Sequence, residues 1–234
     1  MKKRQITIKD IAKALHISPS TVSRSLADHP DISQETKNIV NAYAREHKYK
    51  PNALALSLRT NNTKTIGVIL PQIVHYFFSS VLSGIEDEAE KGGYRVIICQ
   101  SNENYEKEVK GAQALLEARV CGVLASVAKT TTIYNHFQEL IDSDIPMVFF
   151  DRICTGILTD RVVVDDYAGV CSAVEYLIRS GCRRIAFFGS PSHLAISNNR
   201  RMGYEDALRK NGLPVDKELI KICDNYTEAL RLTP

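Results

Sequence analysis

From Thr65 onward, seven short apolar runs succeed one another: TIGVIL, YRVIICQ, CGVLAS, IPMVFFD, RVVVDD, RRIAFFG and LIKICD. Each is too short for a buried helix and reads as a strand. Stretches of helical period stand between most of them. Phe77 to Lys91 carries Val81, Leu82, Ile85 and Ala89 and ends at Gly92-Gly93. YEKEVKGAQALLEARV, Ile133–Ile141, Tyr167–Ser180 and Asn198–Asn211 follow, the last two closing at Gly181 and Gly212. Glycine just past a helix supplies the left-handed residue that ends it. Strand and helix in alternation predict a doubly wound parallel sheet with right-handed crossovers. Ligands of such sheets lie outside the carboxyl ends of the strands. Here those ends are Pro71 to Phe78, Ser101-Asn102, Ser126, Asp151-Arg152 and Gly189 onward. They mix aromatic and polar groups, without a nucleophile–base pair, G-x-S-x-G, G-x-G-x-x-G or P-loop. His75 and His193 stand nearby as polar surface, and the chain reads as a binding protein rather than an enzyme.

The stretch before Thr65 follows another rule. In IKDIAKALHISPSTVSRSL, the residues Ile8, Ile11, Ala12 and Leu15 share one helical face. Thr7 is the expected N-cap of this helix. His16 interrupts it, where the turn favours positive φ. Ser18 then caps a second helix, with Pro19 at its first position. Val22 and Leu26 form its inner stripe, and the opposite face offers Ser20, Thr21, Ser23 and Arg24. Hydroxyls can hold phosphates and Arg can pair with guanine edges, so this face suits a DNA major groove. Ser33 with Thr36 opens a third helix, in which Ile39, Val40, Tyr43 and His47 are expected to face inward. Pro51-Asn52 begins a leucine-rich segment, ALALSLRTNNTK, that reads as a linker or as a hinge helix formed on DNA.

Charge divides the same way. Residues 1–64 hold 12 Lys and Arg against 5 Asp and Glu, while the remainder holds 18 against 22. A basic head on a mildly acidic body points to a polyanion partner for the head. The six cysteines form no C-x-x-C and no zinc-finger spacing, so no metal is expected, and they read as small buried hydrophobes of a reducing compartment. MKKRQITIKD lacks the apolar core of a secretory signal, and no apolar run is long enough to span a bilayer. These features predict a soluble cytoplasmic protein.

TIKDIAKALHISPSTVSRSL and KYKPNALALSLRTNNTKTIGVILP together resemble the LacI/GalR family of bacterial transcription regulators, and the resemblance runs from Ile6 to about Tyr226. It implies a helix-turn-helix DNA-binding domain over 6–60, with a hinge helix at 52–60. A periplasmic-binding-protein-like (type I) sensor over 64–234 would follow, its two subdomains clamping a small effector. Pro19, Ser20 and Arg24 match base-reading positions. Thr7, Thr21, Ser23, Ser33, Thr36 and Asn52 match phosphate-holding ones. Leu58 matches an intercalating leucine, with Arg59 beside it, and Ala55 matches the small residue between paired hinge helices. In the sensor, Phe77, Phe78, Asp151 and Arg200 match effector positions. The chain departs from the family at His16, where Gly is usual, at Ala27 and Leu56, where polar residues are common, and at Asp165-Asp166, where Asp-Asn is usual. Asp165-Asp166 reads as a helix cap.

The resemblance implies a homodimeric repressor of a palindromic operator, controlled by a metabolite such as a sugar and using no cofactor. Family members run on beyond the point where this chain stops. The second subdomain is therefore expected to be incomplete, and a regulator that keeps DNA binding without effector sensing is the alternative. A cytoplasmic solute-binding protein is a third reading, opposed by the basic head.

Overall fold

The computed structural model describes residues 6–50, 63–223 and 226–232. The chain forms two compact units, Met1–Thr63 and Lys64–Pro234. Three helices make the first: α1 (Ile8–Ala14), α2 (Pro19–Leu26) and α3 (Gln34–Glu46). Each begins at a hydroxyl cap. Thr7 accepts from the Asp10 N–H and its own N–H donates to the Asp10 carboxylate, a capping box. Ser18 and Ser33 accept from the N–H groups of Thr21 and Thr36. His16 does take positive φ, at 54°. Ile11, Ala12, Val22, Val40 and Ala44 form the core.

Two expectations for α3 fail. Ile39 is 51% exposed, and His47 is exposed, its ring stacked on Tyr43 at 4.0 Å. The inner stripe runs Lys37, Val40, Ala44 instead, which leaves Ile39 about 100° off the buried face. Lys37 is the surprise on that stripe: its ammonium ends on Asp28, 2.8 Å from the carboxylate.

The second unit opens with a five-stranded parallel sheet: β1 (Thr65–Leu70), β2 (Arg95–Gln100), β3 (Gly122–Ala125), β4 (Met147–Phe150) and β5 (Asp160–Val162), in the order β2-β1-β3-β4-β5. β1 is its axis. Ile69 packs on one side with Leu115, Phe137 and Phe149, from α5 (Tyr105–Glu117), α6 (Asn135–Asp142) and β4. Val68 and Leu70 pack on the other with Phe78 and Leu82 of α4 (Tyr76–Lys91). Alternate residues serve opposite faces, as the pleat requires. Gly67 permits the approach of α5, since a Cβ there would stand 2.5 Å from Leu115 Cδ1.

Helix α7 (Asp166–Arg179), β6 (Phe187–Gly189), α8 (Ala195–Lys210), a 3-10 turn at Lys217–Leu219 and β7 (Ile220–Ile222) follow. Among the described residues β6 and β7 form a separate two-stranded parallel sheet. Tyr204, Ala207 and Leu208 of α8 pack on Val174 and Ile178 of α7 and on Ile185. The Tyr204 hydroxyl donates to the Ile185 carbonyl at 2.8 Å. A final helix, α9 (Tyr226–Leu232), lies in a stretch the sequence had not marked as helical.

Several bounds differ from the sequence reading. β5 stops at Val162, leaving Val163 and Val164 exposed, because β5 pairs with β4 alone and Asp165 already caps α7. β6 keeps only the last three residues of RRIAFFG, and α8 begins at Ala195 rather than Asn198.

Candidate functional site

Two places gather the expected residues. The first is the outer side of α2. Val22 and Ser25 are buried beneath it, and the Ser25 hydroxyl donates to the Thr21 carbonyl at 2.8 Å. Pro19, Ser20 and Arg24 are exposed on the other side, with Thr21 and Ser23 half-buried. Arg24 makes no ion pair among the described residues. The helix start is tied by hydroxyls: Ser18 Oγ lies 2.7 Å from Ser20 Oγ and 2.8 Å from Thr21 Oγ1. The Ser33 and Thr36 hydroxyls, 2.9 Å apart, repeat this at α3. Thr7 is the N-cap expected of it, and its polar groups are engaged there. Its N–H and its hydroxyl both donate to the Asp10 carboxylate, at 2.9 and 2.6 Å, so a phosphate at Thr7 has to compete with Asp10. Asn52, Ala55, Leu58 and Arg59 lie outside the described residues.

The second place is the carboxyl edge of the five-stranded sheet. β1 is flanked by β2 and β3, so the strand order reverses there, which is where sheets of this kind offer a crevice to ligands. Asp151 follows β4 with φ of 58°, a left-handed backbone that its short polar side chain tolerates. Its N–H donates to the Val162 carbonyl at 3.1 Å. Burial pushes the Asp151 carboxyl above its ordinary range; Arg152 and Arg200 oppose the rise, while Asp166 and Glu103 add to it. Arg152 is held by Glu103 through one guanidinium nitrogen, at 2.8 and 2.9 Å from the two carboxylate oxygens. The same guanidinium lies 5.7 Å from the centre of the Phe78 ring.

Phe78 departs from the picture of an aromatic pair open to the crevice. It is 4% exposed and packs edge-on against Phe150 at 6.4 Å, whereas Phe77 is 49% exposed. The geometry makes Phe78 the floor under Arg152 and leaves Phe77 to the solvent side. Arg200 enters from α8, its Nε donating to Asp166 Oδ1 at 2.8 Å. Asp165 caps α7 by accepting from the Ala168 N–H. The pair Asp165-Asp166 thus divides its work between a cap and an ion pair.

Three further residues take part that the sequence had not assigned. Glu103 anchors Arg152 and also accepts from the Lys129 N–H at 2.8 Å. His193, expected to be plain polar surface, donates Nε2–H to the Lys129 carbonyl at 2.6 Å. It thereby ties the loop after β6 to the loop after β3. Behind that loop the buried Glu108 carboxylate accepts from Ala128 N–H, Thr131 Oγ1 and His136 Nε2, at 2.6, 2.7 and 3.0 Å. Thr131, His136 and Glu108 are themselves buried, so this carboxylate–imidazole pair is a structural brace under the loop.

Comparison with known proteins reaches both units. Residues 7–52 match the family model described as bacterial regulatory proteins, lacI family. Residues 63–233 match periplasmic binding proteins and sugar binding domain of LacI family. The chain is 34% identical over 217 residues to the HTH-type transcriptional regulator RegA of Clostridium saccharobutylicum, covering 92% of this chain and 64% of that one. It is also 34% identical to the ribose operon repressor of Bacillus subtilis, over 87% of this chain and 60% of the relative. The chain therefore spans somewhat under two thirds of the length of these relatives.

Among solved structures, a ribose operon repressor homologue from Burkholderia thailandensis superposes with TM-score 0.64 at 29% identity, covering 68% of this chain and 60% of that one. The lac repressor dimer bound to operator superposes with TM-score 0.77 at 21% identity, over 94% of this chain and 65% of that one, a likeness of fold. The capped α2 with its outward Arg24, the parallel sheet with its crevice, and two family matches that together span most of the chain agree: this chain belongs to the lacI family of bacterial regulatory proteins.

Proposed function

We propose that this chain is a sequence-specific DNA-binding transcriptional regulator, a repressor, and not an enzyme. It acts in the cytoplasm as a homodimer on a palindromic operator. Residues 6–60 form its DNA-binding domain, with a hinge helix at 52–60, and 64–234 its effector-sensing domain. The observation that carries this reading is α2: a capped helix with Val22 and Ser25 buried below and Pro19, Ser20 and Arg24 exposed above. Arg24 and Ser20 read base edges, with Pro19 against them, while Thr21, Ser23, Ser33, Thr36 and, in competition with Asp10, Thr7 hold phosphates. Asn52, Ala55, Leu58 and Arg59 extend the contact through the hinge.

The effector is a small polar metabolite of sugar type, taken at the crevice by Asp151 and Arg200, with Phe77 at its rim and Phe78 as its floor. Asp151 supports this part: a mostly buried carboxylate at the carboxyl edge of the sheet, in a field of opposed charges, is a polar anchor for hydroxyl groups. Selection of the purified chain on random-sequence DNA, with and without a set of sugars, tests the reading. Enrichment of a palindrome whose occupancy changes with one sugar is the expected result. Recovery of no common sequence would overturn it.

A further inference from the structure

The crevice holds an arginine whose charge is already answered. Arg200 is about half exposed, while the Asp166 side chain that takes its Nε–H is nearly buried, 10% exposed. Among the described residues Arg200 makes this one hydrogen bond, so its terminal N–H groups are left for something else. Asp166 is the first residue of α7, and Arg200 stands in α8. The two helices cross closely at Gly203, where a Cβ would stand 2.5 Å from the Tyr167 carbonyl oxygen. The contact is thus fixed by the packing of two helices and not by two wandering side chains.

Charges around it point the same way. The fields that meet at Asp151 come from Arg152 and Arg200 on one side and from Asp166 and Glu103 on the other. With Asp151 itself this is three carboxylates against two guanidinium groups. Arg152 is already spent on both oxygens of Glu103. An incoming phosphate or carboxylate would find no uncompensated cation in this group and would face Asp151 and Asp166 directly. A hydroxyl suffers no such repulsion: it can accept from the terminal N–H groups of Arg200 and donate to Asp151.

We propose that Asp166 is the specificity-determining residue of this crevice: by pairing with the Nε edge of Arg200 it reserves that guanidinium for uncharged polyols and excludes phosphorylated and carboxylated ligands. The proposal rests on the reading of the crevice as the effector site. An asparagine in this place keeps an oxygen to accept the Nε–H but removes the negative charge, so Asp166→Asn separates charge from geometry.

The test uses inorganic phosphate as the probe, titrated calorimetrically at constant ionic strength into the native chain, into Asp166→Asn and into Asp166→Asn with Arg200→Gln. The native chain is expected to give no saturable heat. Asp166→Asn should give saturable phosphate binding, at an affinity at least about tenfold above the weakest the titration can detect, and Arg200→Gln should abolish it. Equal binding by the native chain and Asp166→Asn would overturn the proposal. So would the absence of binding in both, because the Asp166 charge would then not be what excludes the anion. A gain that survives Arg200→Gln would overturn it too, by placing the phosphate elsewhere. Thermal melts establish that each variant is folded. If Asp166→Asn is not, Asp166→Ser takes its place, serine being well suited to the start of a helix. Failure of the operator selection would sink the regulator reading while leaving this measurement intact, since it reports only on charge at Arg200.

Discussion

The ammonium of Lys37 lies 2.8 Å from the Asp28 carboxylate and 3.4 Å from the Asp28 carbonyl oxygen, so one buried side chain of α3 clamps the turn that ends α2. Asp28 takes φ of 53°, a left-handed residue in the same turn. The lysine stem runs along the apolar stripe and brings its charge out to a partner at the surface, which is how a lysine can occupy a core position.

This clamp is expected to show in acid. The hydrogen bond from Lys37, followed by its charge, holds the Asp28 carboxyl below its ordinary value near 3.8. A carboxyl depressed in the folded state adds stability above its unfolded value, and that stability is lost as pH falls through the folded one. The protection of the Val22 and Val40 amides, with the intrinsic pH dependence of exchange divided out and followed downward from pH 5, should therefore fall below about pH 4. In Asp28→Asn that acid-dependent step should shrink. An unchanged step would assign it to another carboxylate.

Gly203→Ala should destabilise the chain by about 1–3 kcal/mol, because a methyl group there meets the Tyr167 backbone and forces α7 and α8 apart. Gly84, in the middle of α4, has nothing within 4 Å of the same added atom. Gly84→Ala should stabilise by about 0.5–1 kcal/mol through helix propensity alone. Urea melts of the two variants are expected to move in opposite directions, and a shift in the same direction would refute the packing argument.

Glu108→Ala removes the acceptor shared by Ala128 N–H, Thr131 and His136, all within the buried core. Breaking a buried pair of this sort costs about 3–5 kcal/mol. Glu108→Gln keeps an acceptor oxygen and should cost less. Equilibrium denaturation checks the order, and equal losses would show that the charge, not the hydrogen bonds, holds the loop.

Arg24→Ala should weaken operator binding by about 1–3 kcal/mol and relax preference at one base pair of each half-site. Binding by the native chain should fall steeply with salt as counterions are released. Competition with operators mutated one base at a time reads the first effect. Uniform weakening at every base would make Arg24 a phosphate contact.

What could be read in the sequence was what is local in it. Thr7, Ser18 and Ser33 are caps because of residues within three positions of them, and Asp165 likewise. The strands of both sheets were visible as apolar runs, although β5 and β6 proved shorter, since hydrogen-bonded partners set a strand's length and runs do not reveal partners. The crevice was located but its wiring was not. Glu103 and Arg152 are 49 positions apart, and Lys129 and His193 are 64 apart. No periodicity joins residues at such separations. Lys37 did leave a mark, as a charged residue in phase with Val40 and Ala44, whereas Ile39 was misplaced by reading hydrophobicity without phase.

The hydroxyl caps at the starts of α1, α2 and α3 have a kinetic consequence. Their first-turn N–H groups and the side chains that bind them are already ordered before any partner arrives. Little rotamer or backbone entropy then remains to be lost at these groups on docking, one of the costs of association beyond lost translation and rotation. Encounter with a duplex should accordingly be limited by orientation and by electrostatic attraction, and not by rearrangement of the three-helix unit.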